Sequence, residues 1–296
     1  MLWENLRQEQ FADAVRETEG LCIMPIGCFE MHGQHLPSAT DCFEAEAVAK
    51  MASELESACV FPTFRFGDVT GLVNYRGAIC LQPKLMLDLL ENLCSEISRN
   101  GFKKILITNH HGGNVPLLSF FERSLFYTKK DYTVLVRNDD YGVSTKLLGE
   151  RLLKEGSGLY PELLPEDERV LIHIYENNVP DGHGGVNETS LMLALRPETV
   201  AMDRIHAVDG YSNGKADKLK DAGMYQAGSI WAANHPFNYS GDAEGASERI
   251  GRLLLRLQAE GLAKACRIFK DDTSVPEWRA QHDKYYPKDK GGSCEL

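Results

Sequence analysis

The chain is constrained most by short apolar runs of strand length that give way each time to a polar loop and then to helical spacing. Leu21-Cys22-Ile23-Met24-Pro25-Ile26 is apolar throughout, and a run of that length bounded by polar residues reads as a strand buried on both faces. Lys104-Ile105-Leu106-Ile107-Thr108 repeats the pattern. Residues 59–66, 132–137 and 170–175 are expected as further strands. Residues 7–17, 42–57, 83–100, 143–154, 188–195 and 245–269 carry apolar side chains at helical spacing. Asn100-Gly101 closes one of these helices with a C-cap signature, and Arg196-Pro197 stops another. Strands alternating with helices imply βαβ units with right-handed crossovers. The expected fold is therefore α/β, with a mostly parallel sheet flanked by helices.

Polar side chains collect where these strands should end. Beyond Ile26 the run Gly27-Cys28-Phe29-Glu30-Met31-His32-Gly33-Gln34-His35-Leu36-Pro37-Ser38-Ala39-Thr40-Asp41 offers two carboxylates and two imidazoles. Beyond Thr108 comes Asn109-His110-His111-Gly112-Gly113-Asn114, and Asp181-Gly182-His183-Gly184-Gly185 leads into the helix that carries Glu188. In open α/β sheets, ligands bind in the crevice outside the strand C-termini. Glu30, His32, Asp41 and His111 form a mixed oxygen and nitrogen donor set that suits zinc, manganese or iron better than calcium. On extended backbone, Glu30 and His32 project to the same side. Each residue also has a structural reading. Asp41 lies near a helix start, where a carboxylate is favoured anyway, Glu188 could compensate a helix dipole, and a lone loop histidine such as His111 or His183 is more often a hydrogen-bonded structural residue. The paired glycines fit neither the dinucleotide nor the P-loop pattern.

The remaining composition narrows the function. A net charge of −11 disfavours nucleic acid and anionic membranes as partners, leaving a small-molecule substrate. Eight cysteines occur without a C-x-x-C pair, so neither a zinc finger nor a disulfide scaffold is expected. No uncharged span approaches the ~20 residues of a membrane helix, and a cytoplasmic protein is expected. The domain expectation is one unit over residues 1–269, followed by a polar, loosely packed extension at 270–296 in which Trp278, Tyr285 and Tyr286 could dock.

The first loop resembles the E-x-H-G-x-H-L-P…T-D signature of the creatininase (creatinine amidohydrolase) family. Asn109-His110-His111-Gly112-Gly113-Asn114 is similar to that family's N-G-H-G-G-N, and residues 182–190 to its H-A-G-x-x-E-T-S. The motifs stand in family order, and the resemblance covers roughly residues 15–265. It implies Rossmann-like α/β layers, a homo-oligomer (possibly a hexamer in this family) and a hydrolase with two divalent ions per subunit. By that resemblance Glu30 and His111 would hold one ion and His32 the other, with Asp41 bridging. Where the family has a further glutamate, this chain has Gly113; Glu188 is the expected replacement ligand, with a second, catalytic role. His183 is the expected proton shuttle, and His35 is expected to support the site without binding metal.

Departures from the family leave the substrate open. A family tryptophan before His183 is absent, His110 replaces a glycine, and Val186 stands where many members have glutamate. A small, polar, cyclic amide is the leading expectation, with a formamide or an inosose-type cyclic ketone as alternatives. His110, Trp231, Asn234 and His235 are candidate substrate contacts. A non-catalytic metal-binding protein is the reading from another class.

Overall fold

A computed structural model describes residues 1–138, 143–224 and 228–285. Its strands are β1 (Leu21–Ile26), β2 (Cys59–Val60), β3 (Lys104–Asn109), β4 (Thr133–Asn138), β5 (Asp181–His183) and β6 (Ser240–Gly241). Its α-helices are α1 (Phe11–Glu17), α2 (Thr40–Leu55), α3 (Pro83–Arg99), α4 (Asn114–Ser124), α5 (Thr145–Glu155), α6 (Pro165–Glu176), α7 (Val186–Leu195), α8 (Asp217–Asp221), α9 (Ser229–Asn234), α10 (Glu248–Asp271) and α11 (Ser274–Tyr285). The first four strands form one parallel sheet in the order β2-β1-β3-β4.

Strand alternation divides the core into two layers. Leu21, Ile23 and Leu106 point to one face, where they meet Val48 and Ala52 of α2, Leu191 of α7, and Leu253, Leu254 and Leu262 of α10. Cys22, Met24, Ile26, Ile105 and Ile107 point to the other, against Ala14 of α1, Leu90 and Ile97 of α3, and Leu118 and Phe121 of α4. Burial on both faces explains why β1 and β3 read as continuous apolar runs. The parallel register sets Ile26 beside Asn109, so the two richest polar loops leave the same edge of the sheet.

Several elements differ from the sequence reading: residues 181–183, expected in a polar loop, form β5, and Trp231 and Asn234, also expected in a loop, lie on α9. Residues 170–175 are helical, inside α6. Pro165 opens this helix, and the Asp167 side chain accepts a hydrogen bond from Leu164 N at 2.9 Å. Asp167, Leu171 and Ile174 are then buried along one side. The apolar run alone fits a strand or a buried helix, and the capped, acidic first turn decides for helix. The strand expected over 59–66 shrinks to β2 plus an isolated bridge between Ile26 and Phe64. Within the segment read as a loose extension, α11 is ordered against the body: Arg279 donates to Leu125 O and Thr128 O, and Trp278 meets Phe126 edge to face. Tyr286 lies outside the described residues, as does the Tyr285 side chain.

Candidate metal centre

Close backbone approach fixes the first part of the site. A Cβ on Gly27 would come within 2.6 Å of the Asp41 carbonyl carbon and of Cys42 N, so the chain leaving β1 can lie against the first turn of α2 only because residue 27 has no side chain. That contact brings Glu30 and His32 to Asp41. Parallel pairing brings His111 from the end of β3. The two-stranded antiparallel pair of β5 and β6 delivers His183, and the first turn of α7 delivers Glu188.

Asp41 stands at the middle. Its Oδ1 lies 2.8 Å from His32 Nε2, and its Oδ2 lies 3.1 Å from His111 Nδ1. Glu30 Oε1 is 2.7 Å from His111 Nδ1, while Glu188 Oε2 is 3.6 Å from His32 Nε2. Among the described residues two donor groups share the Asp41 carboxylate, Cys28, Glu30, Asp41 and His111 on one side and His32, Asp41 and Glu188 on the other, and a third brings His183 beside Glu30 and His32. Glu30, His32 and Asp41 are almost completely buried.

The electrostatics fit a cation. Burial alone would raise the Glu30 carboxyl, but His111 and His183 outweigh it and bring it down to about 2. Asp41 is likewise held well below its usual value, against burial, by His32 and His111. Burial would lower His32, yet Asp41 and Glu188 push it up to about 10, and His111 is raised in the same way by Glu30 and Asp41. The carboxylates that favour protons on these imidazoles would equally favour a divalent ion, whose binding displaces such protons. Despite the short separations, Glu30 Oε1 and both His32 ring nitrogens make no hydrogen bond of acceptable angle. Buried atoms so placed are costly without a partner, and their convergence suits an ion among them.

Neighbouring groups set the orientation. His111 Nε2 donates to Asp68 O at 2.8 Å, which leaves Nδ1 facing the carboxylates. His35 Nε2 donates to Gly184 O at 3.0 Å, and burial brings its imidazole down to about 4; it braces the loop before α7 from outside the donor set. Glu188 also accepts from Gly184 N at 2.5 Å, combining a helix-start contact with its position beside His32. His183 lies 4.0 Å from the His32 ring, stacked on it, and its Nε2 is 3.0 Å from Met31 O.

Asn238 escaped the sequence reading. Buried and in a left-handed conformation, it donates from Nδ2 to Glu30 Oε2 at 2.8 Å and to Met31 O at 2.6 Å. His235-Pro236-Phe237-Asn238 marks a turn in the sequence and gives no sign of chemistry. Replacing Asn238 with alanine should free the Glu30 carboxylate and weaken metal binding by about 10–100-fold, the usual cost of losing a group that orients a ligand. Metal titration of the variant reads this directly.

A cavity of about 690 Å³ opens over the cluster, lined by Glu30, Asp41, His111, His183 and Glu188 at its base. His110 and Trp231 also line it. Burial, against the pull of Asp41, holds the His110 imidazole down at about 3 and therefore neutral. Asn234 is spent on structure, bonding Ala216 N and Asp217, and His235 packs behind Trp231 with Nδ1 at 3.2 Å from Tyr239 O.

The creatininase family model, described as creatinine amidohydrolase, matches residues 4–266. The chain belongs to the creatininase family. A creatinine amidohydrolase of Pseudomonas putida is 25% identical over 269 residues, covering 85% of this chain and 91% of that protein. A mycofactocin precursor peptide peptidase of Mycolicibacterium smegmatis is 26% identical over 194 residues, 62% of each chain. Among solved structures, a creatininase named for manganese superposes with a TM-score of 0.67 at 22% identity, over 92% of this chain and 99% of that one. A putative creatinine amidohydrolase of Bacteroides fragilis gives 0.67 at 24% identity, over 86% and 91%. This creatininase-family chain is accordingly a hydrolase.

Gly113 shows how the chain departs from the family. Any Cβ there would collide with His111 Nε2 and approach Asp68 O to 2.7 Å. The backbone therefore has no room for a ligand side chain at 113, and Glu188 stands on that half of the cluster instead. Gly113→Ala should push His111 off its Asp68 contact, costing about 1–3 kcal/mol by overpacking and releasing metal preferentially from the Glu30 side.

Proposed function

We propose that this protein is a two-metal hydrolase that cleaves an amide-type bond in a small, polar substrate, a cyclic amide being the first candidate. The observation that carries the reading is Asp41, which turns one oxygen toward each of two buried donor groups beneath the cavity. Glu30 and His111 would hold one ion, His32 and Glu188 the other, with Asp41 between them. The manganese in the name of one structural relative and the zinc pair in that of another support this. When bound, such ions supply a lowered pKa for water and polarisation of the scissile carbonyl.

The protein's own groups do the rest. Asn238 Nδ2 holds Glu30 Oε2 and Met31 O and also lies 3.0 Å from His183 Nε2, which is itself 3.0 Å from the same Met31 carbonyl. His183 borders the cavity with no rigid tie to a carboxylate, its nearest being Glu30 Oε2 at 3.8 Å, and can pass a proton to the leaving nitrogen. His110, half-buried at the wall, can orient a polar substrate atom.

A second reading has its own support. Val69, Leu72, Val115 and Pro116 form an apolar wall of the cavity, with Trp231 also lining it, more surface than a lone small ring would cover. A peptide-like amide with an apolar side chain fits that wall, in line with the peptidase among the relatives. We extend the proposal to a homo-oligomer in the cytoplasm, with residues 1–269 as one domain and 270–296 appended; light scattering tests the assembly.

The deciding experiment is metal analysis of protein purified without chelators, followed by a substrate panel of cyclic amides, formamides, apolar dipeptide amides and inosose-type ketones with manganese, zinc or iron. About two ions per chain and turnover of one amide class are expected. Fewer than about one ion per chain would end the two-metal reading. Reloading of stripped protein should strengthen as pH rises from neutrality toward about 10, because His32 and His111 must release protons to bind; uptake that weakens over that range would contradict the assigned ligands.

A further inference from the structure

Cys28 lies where a metal donor would lie. It is fully buried, and its Sγ is 3.1 Å from Asp41 Oδ2. Its position is tightly set: Cys28 O accepts a hydrogen bond from Cys42 Sγ at 3.1 Å, tying it to the first turn of α2 beside Asp41. Cys28 Sγ, Glu30 Oε1, Asp41 Oδ2 and His111 Nδ1 include pairs at 2.7–3.1 Å, and one donor atom from each residue lies within 4.8 Å of the others. A tetrahedral ion with bonds of 2.0–2.3 Å spaces its donors by about 3.3–3.8 Å, so the four need only small adjustments to surround one ion.

A second observation points to an ion here independently of the thiol. Glu30 Oε1 is buried without a hydrogen bond of acceptable angle, although it lies 2.7 Å from His111 Nδ1. The other Glu30 oxygen is held by Asn238, and the other His111 nitrogen by Asp68 O. Each residue is thus anchored by its far atom and leaves its near atom turned toward the space that Cys28 borders.

We propose that Cys28 is the fourth protein donor to the ion held by Glu30, Asp41 and His111, making the two halves of the centre unequal. Four protein donors close a site, whereas three leave a position open for water or substrate. The Glu30 half is then the tightly held, structural one. The half formed by His32, Asp41 and Glu188 keeps the open position and does the chemistry. A sulfur donor also biases the closed half toward softer ions such as zinc or cadmium over manganese. This rests on the two-metal reading above and adds to it the unequal roles and the thiolate.

The test is cobalt substitution, read by absorption. Stripped protein is titrated with Co(II), and a thiolate donor gives a near-ultraviolet sulfur-to-cobalt charge-transfer band. The band should grow with one equivalent of cobalt, vanish in Cys28→Ser and Cys28→Ala, and persist in Cys42→Ser. Cys28→Ser should also lose the preference for cadmium over manganese in competition. Cobalt that binds wild-type protein without the band would overturn the thiolate assignment while leaving the two-metal reading intact. A band unchanged in Cys28→Ser would overturn it as well. Failure of wild-type protein to bind cobalt at all would remove the two-metal reading, and the inference with it. If the Cys28 variants fail to fold, a wild-type band that persists in Cys42→Ser supports the assignment, and its absence from wild-type protein overturns it.

Discussion

Asp41→Asn should cost the protein both ions at once. The substitution is nearly isosteric, so the first turn of α2 loses only its favourable charge at the helix start, worth about 0.3–1 kcal/mol. The metal centre loses far more, because one carboxylate serves His32 through Oδ1 and His111 through Oδ2. An amide supplies one weak donor oxygen and turns its NH₂ toward an imidazole on the other side. Metal content should fall to near zero. The kcat/KM should drop by about 10³–10⁵-fold, the equivalent of about 4–7 kcal/mol of transition-state stabilisation. Glu188→Gln is the comparison, since its carboxylate stands on the His32 side alone and its loss should release one ion. If Asp41→Asn instead keeps one ion at wild-type affinity with unchanged circular dichroism, Asp41 belongs to one half only and the shared-carboxylate arrangement is wrong.

Much of this architecture was legible in the chain because the parts that carry it are local. β1 and β3 are buried on both faces, which fits their apolar runs, and the polar loops that follow them leave one edge of the sheet. Residues 170–175 misled because an apolar run of six carries no period of its own. The information lay upstream, in Pro165 and the acidic first turn of α6. The site divides the same way. Glu30, His32 and Asp41 are close in sequence, His111 follows β3 in a polar loop, and Glu188 opens α7 just after another. Asn238 could not be found so, because its role is to fill a gap between Glu30 and Met31 more than 200 residues away. Cys28 is one of eight cysteines without a C-x-x-C partner, and nothing in the sequence says its sulfur turns toward Asp41. The absence of a glutamate at 113 was visible, but its reason was not: a Cβ there has nowhere to go.

His183→Ala should separate metal binding from turnover. Its ring lines the cavity and stacks on His32 at 4.0 Å, yet its Nε2 is engaged by Met31 O and stands 3.8 Å from the nearest Glu30 oxygen. Removing it leaves each donor pair around Asp41 in place, so metal content should stay at the wild-type level. Turnover should fall by about 10²–10⁴-fold, the usual contribution of a positioned acid or base. The defect should lie in kcat and spare KM, because a proton delivered to the leaving nitrogen matters only as the bond breaks. Two measurements guard against a merely structural loss. His183→Asn preserves a donor toward Met31 O and should be just as slow. A substrate whose leaving group needs no proton, such as an activated anilide, should recover much of the lost rate. If the activated substrate is hit as hard as the ordinary one, or the metal leaves with the imidazole, His183 is a ligand or a prop for His32, and the proton must come from another group at the cavity wall.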